Sequence, residues 1–342
     1  MTVVLGIDTS NYTSSLSVVE GNTILSDRRR LLTVKSGMRG LKQSEAVFQH
    51  MKNLPILIKM IKEDIKNLQI DAIGVSIKPR PYTYSYMPVF KAGESFADFL
   101  SSVIEKPVVK LSHQEGHIEA GLYSANISPN GTFIALHLSG GTSEILKAKF
   151  KNPGFDLEIL GKTTDLSAGQ FIDRIGVIMG FQFPCGNKLD KLAVAGNYRN
   201  CIIPSSSKEG FMSFSGPETA AERLVEKNVR HEDIAAAVFE NISRSIIKSL
   251  KFLLERKDIF SDDERQYVDV LFVGGVSSSD YIRERITEEF KHSKIRVHFC
   301  ASRYSTDNSV GTALLCSRYI ENRALELIKC EQDVDAQNQH LC

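Results

Sequence analysis

Val3-Val4-Leu5-Gly6-Ile7-Asp8 is a short apolar run of strand composition, and Phe133-Ile134-Ala135-Leu136-His137-Leu138 reads the same way in mid-chain. Outward from the first run, Ser14 to Val19 alternates as a second strand, Glu20-Gly21-Asn22 supplies a turn, and Thr23 to Arg29 returns as a third. Val47, Met51, Leu54, Leu57, Ile58, Ile61 and Ile65 then recur mostly at spacings of three and four, the period of a helix. Ile70 to Ile77 is a buried type of strand. A helix from about Pro88 to Ile104 carries its proline in the first turn, where the missing N–H costs little, and strand Val108 to Lys110 leads into a short helix with His113 and His117.

After the second run, Ser139-Gly140-Gly141 makes a turn, Ser143 to Ala148 a strand, and Leu157 to Thr163 a third strand. Helices occupy much of Gly169 to Gly196 and Glu218 to Asn228. Glu232 to Lys257 is a long helix with Ile234, Val238, Ile242, Ile246, Leu250 and Leu253 on one face. Strand Val268 to Val273 meets Gly274-Gly275, a helix follows, Ile295 to Phe299 is a last strand, and a closing helix spans about Asn308 to Ile328. Three strands, a helix, a strand, a helix and a strand thus occur twice. That predicts an α/β protein of two similar lobes with a cleft between them. Residues 1–130 form the expected N-terminal lobe, to which the closing helix can return; 131–307 form a C-terminal lobe with inserted helices, and 331–342 a polar tail.

Lys+Arg number 42 against 41 Asp+Glu, so no whole-molecule basic field is present to grip nucleic acid non-specifically. No run approaches the roughly 18 apolar residues that cross a bilayer, and Met1 to Asp8 lacks the pattern of a secretory leader. Six cysteines without a CxxC pair read as free thiols in a reducing compartment. A cytoplasmic protein with no membrane association is expected. Arg28-Arg29-Arg30 reads as a solvated strand end, with nucleic-acid contact as the alternative.

The sharpest chemical signal is Ser112-His113-Gln114-Glu115-Gly116-His117. Histidines four apart on a helix share a face, so both rings can reach one divalent metal; a pair of polar surface histidines is the competing reading. The zinc-protease pattern HExxH is absent, because Glu115 is displaced by one position. A third ligand is available in Asp307, just ahead of the closing helix, where an N-cap carboxylate is the alternative explanation. Ser139-Gly140-Gly141-Thr142-Ser143 combines close backbone approach with hydroxyl donors, as a phosphate loop does and as a plain hairpin turn also can. Phe272-Val273-Gly274-Gly275-Val276-Ser277 ends a buried strand on paired glycines, which can take an adenine ring or be an ordinary α/β turn.

Taken in order, these stretches resemble the tRNA threonylcarbamoyladenosine synthase catalytic subunit family, formerly labelled O-sialoglycoprotein endopeptidase. Its fold belongs to the actin-like, Hsp70-like and sugar-kinase superfamily, with two RNase H-like lobes around a nucleotide cleft. The resemblance runs from about Val3 to Arg323. It is carried by Gly6-Ile7-Asp8-Thr9-Ser10, His113-Gln114-Glu115-Gly116-His117, Ser139-Gly140-Gly141, Ala168-Gly169 with Asp173, Phe183-Pro184-Cys185-Gly186, Asp190-Lys191-Leu192-Ala193, Ser213-Phe214-Ser215-Gly216, Gly274-Gly275-Val276 and Thr306-Asp307-Asn308.

The resemblance implies that His113, His117 and Asp307 hold one divalent metal, iron or zinc, with His137 as a further ligand where some members carry tyrosine. It implies that Ser139, Gly140, Gly141, Thr142 and Ser143 approach a phosphate. Asp173 and Asp190 would bind ribose hydroxyls, Gly186 would pack on the nucleoside, and Gly274 and Gly275 would flank the adenine. The implied ligand is an adenine nucleotide (threonylcarbamoyl adenylate, AMP or ATP, with or without magnesium), and the implied acceptor is tRNA. A homodimer, or a heterodimer with a related scaffold subunit, is the implied assembly. The departures mark a divergent paralogue. Asn11-Tyr12-Thr13 stands in place of an acidic pair, Lys78-Pro79-Arg80-Pro81-Tyr82 replaces a Gly-Pro-Gly loop, Gln170 replaces a common glutamate, Ser279 an asparagine at the nucleotide, and Pro217-Glu218 a Leu-Lys pair. The expected activity is metal-dependent threonylcarbamoyl transfer to tRNA. The alternatives are a related carbamoyl-type transfer to another acceptor, or a nucleotide-binding scaffold. A peptidase ranks lowest.

Overall fold

Strand β1 (Val3–Asp8) is apolar from Val3 to Ile7 because it lies at the centre of a sheet, with Val4, Leu5 and Ile7 fully buried. The computed structural model describes residues 1–10, 12–34, 41–256, 259–260 and 267–323. Asn11, the end of the long helix expected at Lys257, the closing helix beyond 323, and the 331–342 tail with Cys342 lie outside them, as does Cys330. The chain divides into two units: Met1–Ala120 with Lys151–Gly154 and the chain from Asp307 onward, and Gly121–Phe150 with Phe155–Thr306.

In the first unit β2 (Thr13–Glu20), β3 (Thr23–Leu31), β4 (Ala72–Lys78) and β5 (Val108–Ser112) complete a sheet of order β3-β2-β1-β4-β5. β1 is antiparallel to β2 and parallel to β4, and β4 is parallel to β5. Strand alternation gives this sheet two unlike faces. On one, Leu5, Ile7, Leu16, Val18, Ile73 and Val75 pack with Leu54, Leu57 and Ile61 of α1 (Gln43–Asp64) and Ala97 of α2 (Phe90–Ile104). α2 starts at Phe90, two residues beyond the proline expected to open it.

The other face presents Gly6, Ser15, Ser17, Gly74 and Ser76, and it receives the last described helix, over residues 310–323. Ser309 N–H donates to Ser15 Oγ at 3.0 Å, Ser309 Oγ pairs with Ser17 Oγ at 3.0 Å, and Ser76 Oγ pairs with Thr312 Oγ1 at 3.0 Å. Backbone contact is close: a Cβ on Gly6 would stand 2.6 Å from the Ser309 carbonyl, and one on Gly74 would stand 2.7 Å from that of Thr312. The same helix crosses α3 (His113–Ala125), where a Cβ on Gly311 would run into the Gly116 carbonyl.

The second unit repeats the plan. β6 (Thr132–Leu138), β7 (Ser143–Phe150), β8 (Phe155–Lys162), β11 (Val268–Val273) and β12 (Ile295–Phe299) lie in the order β12-β11-β6-β7-β8. β6 is antiparallel to β7 and parallel to β11, as β1 is to β2 and β4. Between β8 and β11 are inserted α4 (Ala168–Ile178), α5 (Gly186–Ala195), the hairpin β9 (Ser206–Lys208) and β10 (Phe211–Ser213), α6 (Ser215–Glu226) and α7 (His231–Glu255). α8 (Asp280–Phe290) joins β11 to β12, and the short α9 (Ser302–Ser305) follows; the closing helix at 310–323 is α10. The hairpin was not expected. Its three-residue strands are too short to show alternation, and it is held by Asp165, which accepts from Ser213 Oγ at 2.6 Å and Phe214 N–H at 2.8 Å. Among the described residues no helix is long and apolar enough to cross a membrane.

Gly311→Ala is expected to lower the unfolding free energy by about 1–3 kcal/mol, the usual cost of overpacking, because backbone must move to admit the methyl group. Gly216→Ala, where a Cβ meets nothing within 4 Å, is the control expected to change little. Urea midpoints of the two variants decide it. Equal midpoints would show that α10 has room to retreat.

Candidate functional site

α3 begins where it does because Ser112 and Glu115 form a reciprocal cap: Glu115 Oε2 accepts from Ser112 N–H at 2.8 Å and from Ser112 Oγ at 2.6 Å. Glu115 is thereby committed to the start of the helix. His113 and His117 follow on one face, one turn apart, with ring centroids 4.4 Å apart. Asp307 does not cap α10. Asn308 does that, its Oδ1 accepting from Val310 N–H at 3.1 Å. The Asp307 carboxylate turns to the imidazoles instead, with Oδ1 3.4 Å from His113 Nε2 and 3.5 Å from His117 Nε2. One ligand atom from each of the three lies within 4.8 Å of the others, all inside the first unit.

A fourth group escaped the sequence reading. Asp8, fully buried at the end of β1, has Oδ2 2.8 Å from His113 Nδ1, while its Oδ1 accepts from Ser10 N–H at 2.8 Å and from Ser10 Oγ. Its signals were an acid closing an apolar strand and its place in the Gly6-Ile7-Asp8-Thr9-Ser10 stretch, neither of which pointed to His113.

Burial alone would lower the His113 pKa, but Asp8 and Asp307 override it and hold the imidazolium up at about 10. His117 is shifted down, by its burial and by the charge on His113. Burial pushes the Asp307 carboxyl up, yet its bonds with the two histidines hold it far below the usual carboxylate range. The buried Asp8 and half-buried Asp307 carboxylates need a compensating positive charge, which a protonated His113 can supply. A divalent cation would supply the same charge while displacing the proton. Two imidazole nitrogens and a carboxylate oxygen on adjoining helix ends are a donor set that fits such an ion.

The Lys78–Tyr82 loop is fastened next to this group. Pro79 C=O accepts from Gln114 N–H at 3.0 Å, and Lys78 Nζ donates to Pro81 C=O at 3.3 Å. Arg28 pairs with Asp64, and Arg29 with Asp27 at 2.7 Å, so two of the three consecutive arginines are neutralised within the unit, as a strand end would be.

In the second unit the Ser139–Thr142 turn joins β6 to β7, with Ser139 Oγ accepting from Gly141 N–H at 3.3 Å and Thr142 N–H at 3.0 Å. It is clamped to the start of α4: Ser167 Oγ donates to Gly140 C=O at 2.8 Å, and Ser143 Oγ accepts from Ala168 N–H at 2.9 Å. A Cβ on Gly140, Gly141, Gly186 or Gly275 would meet nothing within 4 Å, so this backbone is bare and open. Gly274, at φ 92°, packs on the Leu138 carbonyl, which brings the Gly274-Gly275 turn beside the Ser139 turn.

Asp173 and Asp190 both act at helix starts. Asp173 Oδ1 accepts from Cys185 N–H at 2.7 Å, and burial raises its carboxyl pKa. Asp190 accepts from Ser279 Oγ and from the Asp280 and Tyr281 N–H groups, at 2.9 and 3.3 Å, at the head of α8. Ser279 is the N-cap of that helix. His137 lies on β6 between Val273 and Glu144, 5% exposed.

A family model for tRNA N6-adenosine threonylcarbamoyltransferase matches residues 29–314. A protein of that name from Thermosipho melanesiensis is 30% identical over 321 residues, spanning 91% of this chain and 93% of its own. One from Prochlorococcus marinus is 30% identical over 338 residues, spanning 92% and 90%. Among solved structures, the activator of 2-hydroxyisocaproyl-CoA dehydratase from Clostridium difficile, with bound ADPNP, is similar at a TM-score of 0.55 and 14% identity over 95% of this chain and 98% of that one. A ROK family glucokinase from Streptomyces griseus, in complex with glucose and AMPPNP, gives a TM-score of 0.51 at 12% identity over 92% and 99%. These likenesses show that the chain shares the fold of those two proteins. With well over half of its length matched by the family model, the chain belongs to the tRNA N6-adenosine threonylcarbamoyltransferase family.

Proposed function

We propose that this protein transfers a threonylcarbamoyl group from threonylcarbamoyl adenylate to the exocyclic amine of the tRNA adenosine beside the anticodon, releasing AMP in the cytoplasm. The observation that carries the reading is the His113–His117–Asp307 donor set on a chain of this family. In the reaction a C–N bond forms to the amine, the C–O bond to the AMP phosphate breaks, and the amine loses a proton. His113, His117 and Asp307 would hold a divalent ion, iron or zinc by donor type, which would supply Lewis-acid polarisation of the carbamoyl carbonyl and a counter-charge for the threonyl carboxylate.

The remaining roles belong to the chain itself. The bare turn at Gly140 and Gly141 admits the adenylate phosphate to the backbone, and the Ser139 and Thr142 hydroxyls add donors that stabilise it as it leaves. Gly274 and Gly275 give the adenine a flat backbone surface. Asp173 and Asp190 each retain acceptor capacity for a ribose hydroxyl beyond the bonds they already accept, since a carboxylate has about four lone-pair sites. Gly186, with nothing beside it, leaves space for the nucleoside.

A second reading is favoured by the Lys78–Tyr82 loop, whose cationic residues Lys78 and Arg80 flank the Pro79 carbonyl anchored to α3. In that reading the same transfer serves a different, anionic acceptor. Loss of acidic groups that assist proton transfer typically costs about 10²–10⁴-fold in rate, so transfer to standard tRNA is expected to be slow.

Three outcomes check this. Purified protein should carry about one divalent ion per chain, and His117→Ala should release it, since losing a ligand costs more than the roughly 10–100-fold of an outer contact; equal metal content by elemental analysis would remove the site. AMP should raise the melting temperature by mass action, and Gly140→Val should abolish the shift without unfolding the protein, because its branched side chain enters open space. Release of AMP from threonylcarbamoyl adenylate should require tRNA. Failure of tRNA to stimulate release, with stimulation by another anionic acceptor, would favour the second reading, and full-rate tRNA modification would withdraw the claim of divergence.

A further inference from the structure

We propose that Asp8 is the positioning residue of the metal group, fixing which nitrogen of His113 faces the ion. The proposal rests on the reading of His113, His117 and Asp307 as metal ligands and adds a group outside that set.

Asp8 cannot swing. Its Oδ1 is held by Ser10 N–H at 2.8 Å and by the Ser10 hydroxyl, and its Oδ2 meets His113 Nδ1 at 2.8 Å, all in a fully buried position. Both oxygens of an ionised carboxylate only accept, so Nδ1 must donate. Nδ1 therefore keeps its proton, and the proton that an ion would displace is the one on Nε2, which faces the side of the ring where Asp307 Oδ1 lies 3.4 Å away and His117 Nε2 converges on the same oxygen at 3.5 Å. The carboxylate sets the tautomer, locks the ring plane and increases the basicity of the donor nitrogen. Ser10 completes the relay by fixing the carboxylate itself.

The substitution that separates orientation from packing is Asp8→Asn. It preserves shape, but with its amide oxygen taken by the Ser10 donors it turns an NH₂ group toward His113. The imidazole must then accept at Nδ1 and carry its proton on Nε2, the nitrogen needed for the ion. The same exchange misplaces the tautomer in catalytic triads.

Zinc is the probe, measured by competition against a chromophoric chelator, with ¹⁵N-histidine spectra to report the tautomer. Wild type should bind one zinc, with a hydrogen-bonded proton on His113 Nδ1. Asp8→Asn should bind zinc about 10–100-fold more weakly, the usual cost of losing an outer partner, with its His113 proton on Nε2. Asp8→Glu should restore the Nδ1 proton and part of the affinity. Equal affinity in wild type and Asp8→Asn overturns the role of Asp8 while leaving the metal site standing, as does equal loss in the Asn and Glu variants with no tautomer change. If Asp8→Asn fails to fold, the zinc-loaded wild type decides alone, and absence of the Nδ1 proton overturns the proposal. A wild type that takes up no zinc overturns the metal reading and this one with it.

Discussion

The contact between α10 and α3 at Gly311 and Gly116 is the constraint on which the site depends. A side chain at Gly311 would collide with the Gly116 carbonyl, so the two backbones meet at a separation that only glycine permits. Gly116 lies between the two histidines, and α10 begins three residues after Asp307. The distance between these helices therefore sets the distance between the carboxylate and the imidazoles. The hydroxyl and glycine face of the first sheet serves the same end, since Ser15, Ser17 and Ser76 hold α10 by side-chain bonds instead of bulky packing.

The two sheets share one order and one pattern of strand direction, yet their first hairpins end differently. Asp8 closes β1 and turns to His113, whereas Leu138 closes β6 and is followed by the bare Ser139–Thr142 turn. A strand end that carries a buried acid suits a cationic partner. One that offers open backbone suits an anionic group. Equivalent places in a repeated plan have thus been given opposite electrical character.

Much of this was legible before any coordinates. The apolar runs at Val3 and Phe133 stand out because central strands are covered on both faces, and the four-residue spacing of His113 and His117 carries its geometry within the local helix. Asp307 was legible as a residue type only; what frees its carboxylate from capping is Asn308 taking the bond to Val310 N–H, which no spacing shows. Asp8 was missed as a site residue because its partner is more than a hundred residues away. The use of Asp173 and Asp190 at helix starts, and the Asp165 anchor of the β9–β10 hairpin, are likewise tertiary facts.

The first unit is made from both flanks of the second: the chain leaves it at Ala120 and re-enters for good at Asp307. This interruption has a consequence for biosynthesis. On the ribosome the second unit can be complete while the first still lacks the helix that covers the hydroxyl face of its sheet. The serines and glycines on that face stay wet until α10 emerges, and His113 waits for Asp307 until nearly all of the described chain has been made. Contacts this distant in sequence form late, because loop closure must precede any gain from packing. The His113–His117–Asp307 group is thus a late-assembling feature, complete only after the chain has passed Asp307 and α10 has docked.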